Sequence, residues 1–370
     1  MKAPVITGVG AVTALGRDIR TTRDALAAGR CAIAPIDAPA LERVAPSPAA
    51  RIGPFTTDPE LPKARARRLD LGSQYAIVAA RQCLADARYE MAGREERTGI
   101  LLGTGSAGAG PLTEFERQMA TDSPDLASPF LFPNTVANAP ASQTALELKI
   151  KGPNVTLIQK DPGALNALFY GRMLLADRRA DALLVGAADE WNLIYHQGYE
   201  RVRATRTHDR KGFALGEGAG LMLIEDEEAA RARGASLYAR VAGVGWKTMA
   251  ISPHVRRADP EVLEATMLAA LEDAGLEAKA VGLISLSANG TPTTDEAERD
   301  ALEMLFGSGG ACRRVAIKEQ LGENPCVGAM QLALGALALR DEPSLGAVLV
   351  NSFGAGGNFF SVILSASEAA

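Results

Sequence analysis

The chain has 370 residues, 47% of them hydrophobic but only 5% aromatic, and a formal net charge of −5. That length calls for one large or two fused domains with cores of Ala, Leu and Val. The charge, and the lack of any Lys/Arg block interleaved with aromatics, exclude nucleic acid as the expected partner.

Thirty-seven glycines suit the many tight strand–helix turns of an α/β protein. Cys31, Cys83, Cys312 and Cys326 show no CxxC spacing, and His196, His208 and His254 form no HExxH. Neither a disulfide framework nor a metal site is expected. Gly8, Gly10 and Gly16 break the mildly apolar start, which reads as strand-then-turn and not as a signal peptide. No stretch is long and apolar enough for a bilayer, so the expected location is cytoplasmic, with no membrane partner.

Residues 4–7 read as a strand entering a turn at Gly8-Val9-Gly10, and residues 18–28 as a helix closed by Gly29. Position 13 is Thr, so the third glycine of GxGxxG is missing and no nucleotide cofactor is expected. Residues 36–64 hold most of the early prolines and suggest a surface excursion. The short basic run 63–68 is a solvated helix face or a patch for one acidic partner. A helix over residues 69–87 precedes a buried strand at 98–103. That strand runs into Thr104-Gly105-Ser106-Ala107-Gly108, followed by a helix through Phe115 and Met119. A Pro-bracketed loop (SPFLFP, 128–133) leads to a small-residue helix over 134–148, with Pro140 near its first turn.

The stretch GPNVTLIQKDPGALNALFY, residues 152–170, organises the rest. A β-rich run at 155–158 meets Asp161-Pro162-Gly163 and then an apolar-periodic segment with Leu165, Leu168 and Phe169 on one side. This is a strand passing through a tight elbow into a buried helix. In enzymes built this way the elbow residue is the nucleophile, held at a helix N-terminus. Here the elbow carries Lys160, Asp161 and Pro162, with no Cys or Ser. Asp161-Pro162 also reads as a helix start, with Asp at the N-cap and Pro at N1.

A strand at 182–188 and the glycine-rich entry to another at 211–225 complete the first half. From residue 236 the plan restarts with strands, helices and glycine-rich loops through Asn289, Lys318 and residues 351–358. One duplicated α/β half accounts for this, with units 1–235 and 236–370.

Several motifs together resemble the β-ketoacyl-ACP synthases of the thiolase fold. They are VITGVGAVTALG at the start, GPN…ALNAL at the elbow, FALGEGAG at 213–220, AxGTxT at 288–293, Lys318, and NSFGAGGN at 351–358. The resemblance implies duplicated βαβαβαββ halves in a five-layered αβαβα core, and obligate dimers. It also implies a Cys-His-His catalytic set. By motif, the cysteine position falls on Asp161, the first histidine on Asn289 and the second on Glu323. Lys318 matches the family lysine, Thr291 and Thr293 its threonines, and Ala355 the gating phenylalanine.

The substitutions remove the chemistry. A thiolate at a helix N-terminus is a strong nucleophile; a carboxylate is far weaker, and an acyl anhydride on Asp161 would hydrolyse. Asn289 cannot become cationic, and a charged Glu323 would repel the enolate formed by decarboxylation. The resemblance narrows to chain length factors, which have lost the elbow cysteine and pair with an active ketosynthase in type II polyketide or polyene systems. Their elbow typically carries glutamine where this chain has Asp161.

The expected role is therefore a catalytically silent subunit that heterodimerises with an active β-ketoacyl-ACP synthase and shapes the acyl tunnel, possible pathways including aryl polyenes. Carrier protein would be met through the partner, and no cofactor is implied. Ser106, Leu112, Phe115, Phe132 and Ala355 are the tunnel candidates. Two other readings stand beside it: an acyl-thioester hydrolase or dehydratase using Asp161 and Glu323 as an acid/base pair, and a non-catalytic acyl-binding homodimer.

Overall fold

The computed structural model describes residues 3–36, 47–55, 61–121, 124–251, 257–307 and 312–367. His254 lies outside them, as does much of the Pro-rich segment 36–64. The first half runs β1 (Val5–Thr13), α1 (Ile19–Ala27), β2 (Ile33–Ala34), β3 (Ala49–Ala50), α2 (Lys63–Ala66), α3 (Leu71–Asp86), β4 (Thr98–Thr104) and α4 (Ala109–Thr121). It continues with α5 (Ala139–Leu148), β5 (Asn154–Ile158), α6 (Gly163–Ala176), β6 (Ala182–Asp189), α7 (Leu193–Arg201), β7 (Leu215–Gly216), β8 (Gly218–Glu225) and α8 (Glu227–Ala232). The second half holds β9 (Ala239–Thr248), α9 (Pro260–Ala274), β10 (Val281–Ser285), α10 (Pro292–Phe306), β11 (Arg313–Val315) and α11 (Lys318–Leu321). It ends with α12 (Pro325–Asp341), β12 (Ala347–Phe353) and β13 (Asn358–Ser365).

Ten strands form one sheet in the order β11-β10-β12-β13-β9-β1-β8-β6-β4-β5, and β2, β3 and β7 form a small second sheet. Numbered within its own half, each set of five has the same order, 3-2-4-5-1. In each half the fifth strand, β8 or β13, runs antiparallel to both neighbours. The halves meet at their first strands, where Val5 pairs with Arg240 and Ile6 with Ala239. The fold is thus a duplicated thiolase-like arrangement.

Three apolar cores hold the layers apart. The largest joins α6 and α12, packed on each other, to strands of both halves, through Leu165, Leu168, Val327 and Met330. A second lies under α3 on the outer face of the first half, around Tyr75, Ile100 and Leu221. The third lies under α9 and α10 on the outer face of the second, around Leu263, Met267 and Ile363. No helix among the described residues is long and apolar enough to cross a membrane.

Two sequence expectations are corrected. The turn at Gly8-Val9-Gly10 does not exist, because β1 continues through it to Thr13. Its glycines serve packing: a Cβ on Gly8 would lie 2.4 Å from the Cys83 carbonyl oxygen, and one on Gly10 2.0 Å from that of Ala79. Helix α3 therefore seats directly on the strand backbone. The helix expected over 134–148 also starts later, at Ala139, with Pro140 in its first turn and a 3-10 turn at Phe132–Asn134 before it.

Candidate functional site

The elbow is built from backbone in close approach. A Cβ on Gly103 of β4 would lie 2.3 Å from the Gly163 carbonyl carbon, so α6 begins against bare strand. Lys160 takes the left-handed turn at φ +52°. Its N–H donates to Thr104 O at 3.3 Å, and its own carbonyl accepts from Gly163 N at 2.9 Å. The N-cap expectation for Asp161 is overturned: Pro162 holds that position, α6 starts at Gly163, and no side chain caps it. The contact of Gly163 with Gly103 fixes where the helix starts and leaves Asp161 one residue too early. Among the described residues no hydrogen bond or salt bridge holds the Asp161 carboxylate. Its carbonyl accepts from Ser352 Oγ at 3.0 Å, which ties the elbow to β12.

The second half supplies a locked polar cluster opposite. Lys318, at the start of α11, is buried with its Nζ 3.1 Å from Glu323 Oε1. Asn289 Nδ2 donates to Glu323 Oε2 at 2.7 Å, while Asn289 Oδ1 accepts from Thr291 N at 3.0 Å. Burial pushes the Glu323 carboxyl up to about 7, with the Lys318 charge opposing the rise. Asp295 accepts from the Asn289 and Gly290 amides at 3.1 and 2.9 Å and so fixes this loop. Glu298 accepts from the Ser287 and Ala288 amides and from Asn351 Nδ2, each at 2.9 Å. Both carboxyls are raised by burial, against these donors.

A cavity of about 610 Å³ lies between the two, lined by Asp161, Asn289 and Glu323 together with Ser106 and Ala355. The sequence thus names five residues of one site. Lys318 sits behind the wall, touching Glu323. The remaining tunnel candidates lie elsewhere in this chain. Leu112 is 40% exposed and Phe132 62%, and the Phe115 ring tilts against Phe132 at 5.7 Å on the same surface.

Other lining residues are not among the site candidates read from the sequence. Trp191, Tyr195, Tyr199 and Phe213 form aromatic wall, and Asp189 is buried beside Ser106. Asp189 accepts from Thr104 Oγ1 at 2.7 Å, Gly105 N at 2.7 Å and Ser106 N at 3.1 Å, yet burial still raises its carboxyl to about 6. The two described histidines lie off the site. His196 is buried, accepting at Nδ1 from Trp191 Nε1 at 3.2 Å and bonded at Nε2 to Ser47 Oγ at 3.0 Å, while His208 is exposed.

Family models place these observations. Residues 2–230 match the model described as Beta-ketoacyl synthase, N-terminal domain, and residues 238–343 match Beta-ketoacyl synthase, C-terminal domain. The 3-oxoacyl-[acyl-carrier-protein] synthase 2 of Staphylococcus aureus (strain COL) is 30% identical over 361 residues, covering 92% of this chain and 86% of that protein. Among solved structures, the ishigamide ketosynthase/chain length factor superposes with a TM-score of 0.90 at 24% identity, covering 99% of both chains. AntDE:AntF, a type II PKS acyl-carrier protein in complex with its ketosynthase, superposes with a TM-score of 0.84 at 19% identity, covering 99% of this chain and 100% of that one. The two structural likenesses carry the fold, and the two family models together span most of the sequence: the chain belongs to the β-ketoacyl synthase family.

Proposed function

We propose that the chain is a catalytically silent, chain-length-factor-like subunit that pairs with an active, cysteine-bearing β-ketoacyl synthase and shapes the acyl cavity the two share. The observation that carries this reading is the elbow. The position that resembles the family's nucleophile is a carboxylate, and the two positions resembling its histidines are Asn289 and Glu323, bonded to each other. An amide and a carboxylate that hold one another supply no cationic donor to a developing enolate. Glu323 is further committed to Lys318, which disfavours its use as an acid/base partner of Asp161.

Pairing is supported by the surface beside the elbow. Strand β5 is a sheet edge with no charged residue, and Ile158 at its end is 66% exposed. Leu112, Phe132, Met173 on α6 and Ile194 on α7 add exposed apolar area in the same half. An open uncharged edge with apolar flanks is a surface that a partner strand covers. Leu112, Phe115 and Phe132 then meet the acyl chain from across that interface, with Ser106 and Ala355 inside. The ishigamide protein, whose name joins a ketosynthase to a chain length factor, is consistent with such a pair. Units of 1–235 and 236–370, the acyl carrier protein as a partner reached through the active subunit, and an aryl-polyene or related polyketide pathway belong to the same reading.

The test is reconstitution with the co-encoded ketosynthase and acyl-carrier substrates. The chain alone shows no elongation, the pair elongates, and Asp161→Ala in this chain leaves the pair's rate within about twofold. A covalent acyl group on Asp161, or turnover by the isolated chain that Asp161→Ala abolishes, overturns the proposal.

A further inference from the structure

The cavity wall contains one positive charge that scaffolding does not use. Lys160 is the only Lys or Arg lining the cavity among the described residues. It occupies a left-handed conformation at φ +52°, which side-chain-bearing residues seldom adopt. A strained backbone held by a residue other than glycine points to a use for its side chain.

The side chain leads to α7. Lys160 Nζ donates to the Tyr199 hydroxyl oxygen at 3.0 Å, and lies 5.2 Å from the Tyr199 ring centroid and 6.0 Å from that of Tyr195. An ammonium carries three N–H donors, so two remain without an acceptor among the described residues. The Tyr199 hydroxyl accepts that bond and still has its own proton to donate. Burial opposes the Lys160 charge, but the Tyr199 hydroxyl and the Asp161 carboxylate outweigh it and raise its pKa, so the group is cationic. Burial also raises the pKa of Tyr199, which keeps the phenol protonated.

The cavity's carboxylates decide which sign of ligand fits. Asp189, Asp295 and Glu298 each accept two or more protein hydrogen bonds. Glu190 accepts from Leu71 N at 3.0 Å, and Glu323 is taken by Lys318 and Asn289. Acceptors are mostly satisfied, whereas donors at Lys160 and Tyr199 are not. A cationic ligand finds few free partners, and an anion finds three converging protons. The surrounding wall of Tyr195, Val202, Phe213 and Ile158 is apolar or aromatic, which suits a hydrocarbon chain carrying that anion.

We propose that Lys160 and Tyr199 form a recognition point for a carboxylate borne by the acyl chain held in this cavity. The inference rests on the acyl-cavity reading above. Asp161, the neighbouring carboxylate, competes for Lys160, so Asp161→Asn strengthens the preference.

Calorimetric titration of the purified full chain with two pantetheine thioesters tests it: 7-carboxyheptanoyl and octanoyl. The carboxylate-ended probe binds at least about tenfold tighter, as a charge-assisted contact with several donors should. Lys160→Met brings the two affinities together, Lys160→Arg keeps most of the gap, and Tyr199→Phe loses a smaller part of it. Octanoyl binding with no preference in the wild type overturns the recognition point and leaves the acyl cavity standing. A preference that survives Lys160→Met overturns it equally, and failure of both probes to bind overturns both readings.

Discussion

The duplicated fold allows one half of the molecule to be set against the other. Helices α6 and α12 each connect the third strand of a half to the fourth, so each half has its own elbow. The second is finished as a structural joint. Asn324 is the N-cap of α12, its Oδ1 accepting from Cys326 N at 2.9 Å, with Pro325 next in line. Glu323 beside it is ion-paired to Lys318. The first elbow has the same Asx-Pro signature but does not use it: α6 has no side-chain cap, and the Asp161 carboxylate lines a cavity with no hydrogen bond or salt bridge among the described residues. Both elbows line the cavity, so the difference lies in how each carboxylate is held: Glu323 by Lys318 and Asn289, Asp161 by no side chain among the described residues.

The outer edges of the long sheet differ in the same sense. Strand β11 is three residues long and carries Arg313 and Arg314, with Arg313 NH2 2.6 Å from Glu342 Oε2. Short, charged edges resist pairing with another chain. Strand β5 has five residues and no charge. Both edges lack a second neighbour among the described residues, but only the first-half edge is uncharged.

The largest effect that would break the contrast of elbows comes from removing each carboxylate. Glu323→Ala leaves the buried Lys318 charge without its partner and should cost roughly 3–5 kcal/mol. Asp161→Ala should stay within about 0.5 kcal/mol. Denaturant unfolding of both variants measures the difference, and equal costs would erase the distinction. The edges come next. Ile158→Arg replaces an exposed apolar side chain at the proposed interface, whose burial is worth about 1.5–3 kcal/mol, or roughly 10–100-fold in affinity for the partner. Val315→Arg on β11, where Val315 is 41% exposed, should leave association unchanged. Sedimentation of the co-expressed pair reads both, and a loss at Val315 instead would move the interface to the other end.

The sequence reveals the parts of this architecture that are local or repeated as motif. The elbow strand, the buried helix after it and the five lining positions Ser106, Asp161, Asn289, Glu323 and Ala355 can be read from pattern and resemblance. What cannot be read depends on contacts far along the chain. Gly8 and Gly10 look like a turn because the helix that requires them to be bare lies some seventy residues later. Lys160 finds Tyr199 thirty-nine positions away, and only the i, i+4 spacing of Tyr195 and Tyr199 on α7 hints at an aromatic wall. Leu112 and Phe132 read as tunnel candidates, and one chain alone leaves them on its surface. The misplaced cap has the same origin, since Asp161-Pro162 is a good local start that the Gly103–Gly163 contact overrides.

The smallest effect tests that override directly. Asn324→Ala removes a side-chain cap from α12 and should cost about 1 kcal/mol, the usual value for losing an Asn cap. The same truncation at Asp161 removes no cap from α6, so its melting temperature should match the wild type while that of Asn324→Ala falls. If Asp161→Ala also destabilises by about 1 kcal/mol, its carboxylate caps the helix in solution. The first elbow would then be a structural joint like the second.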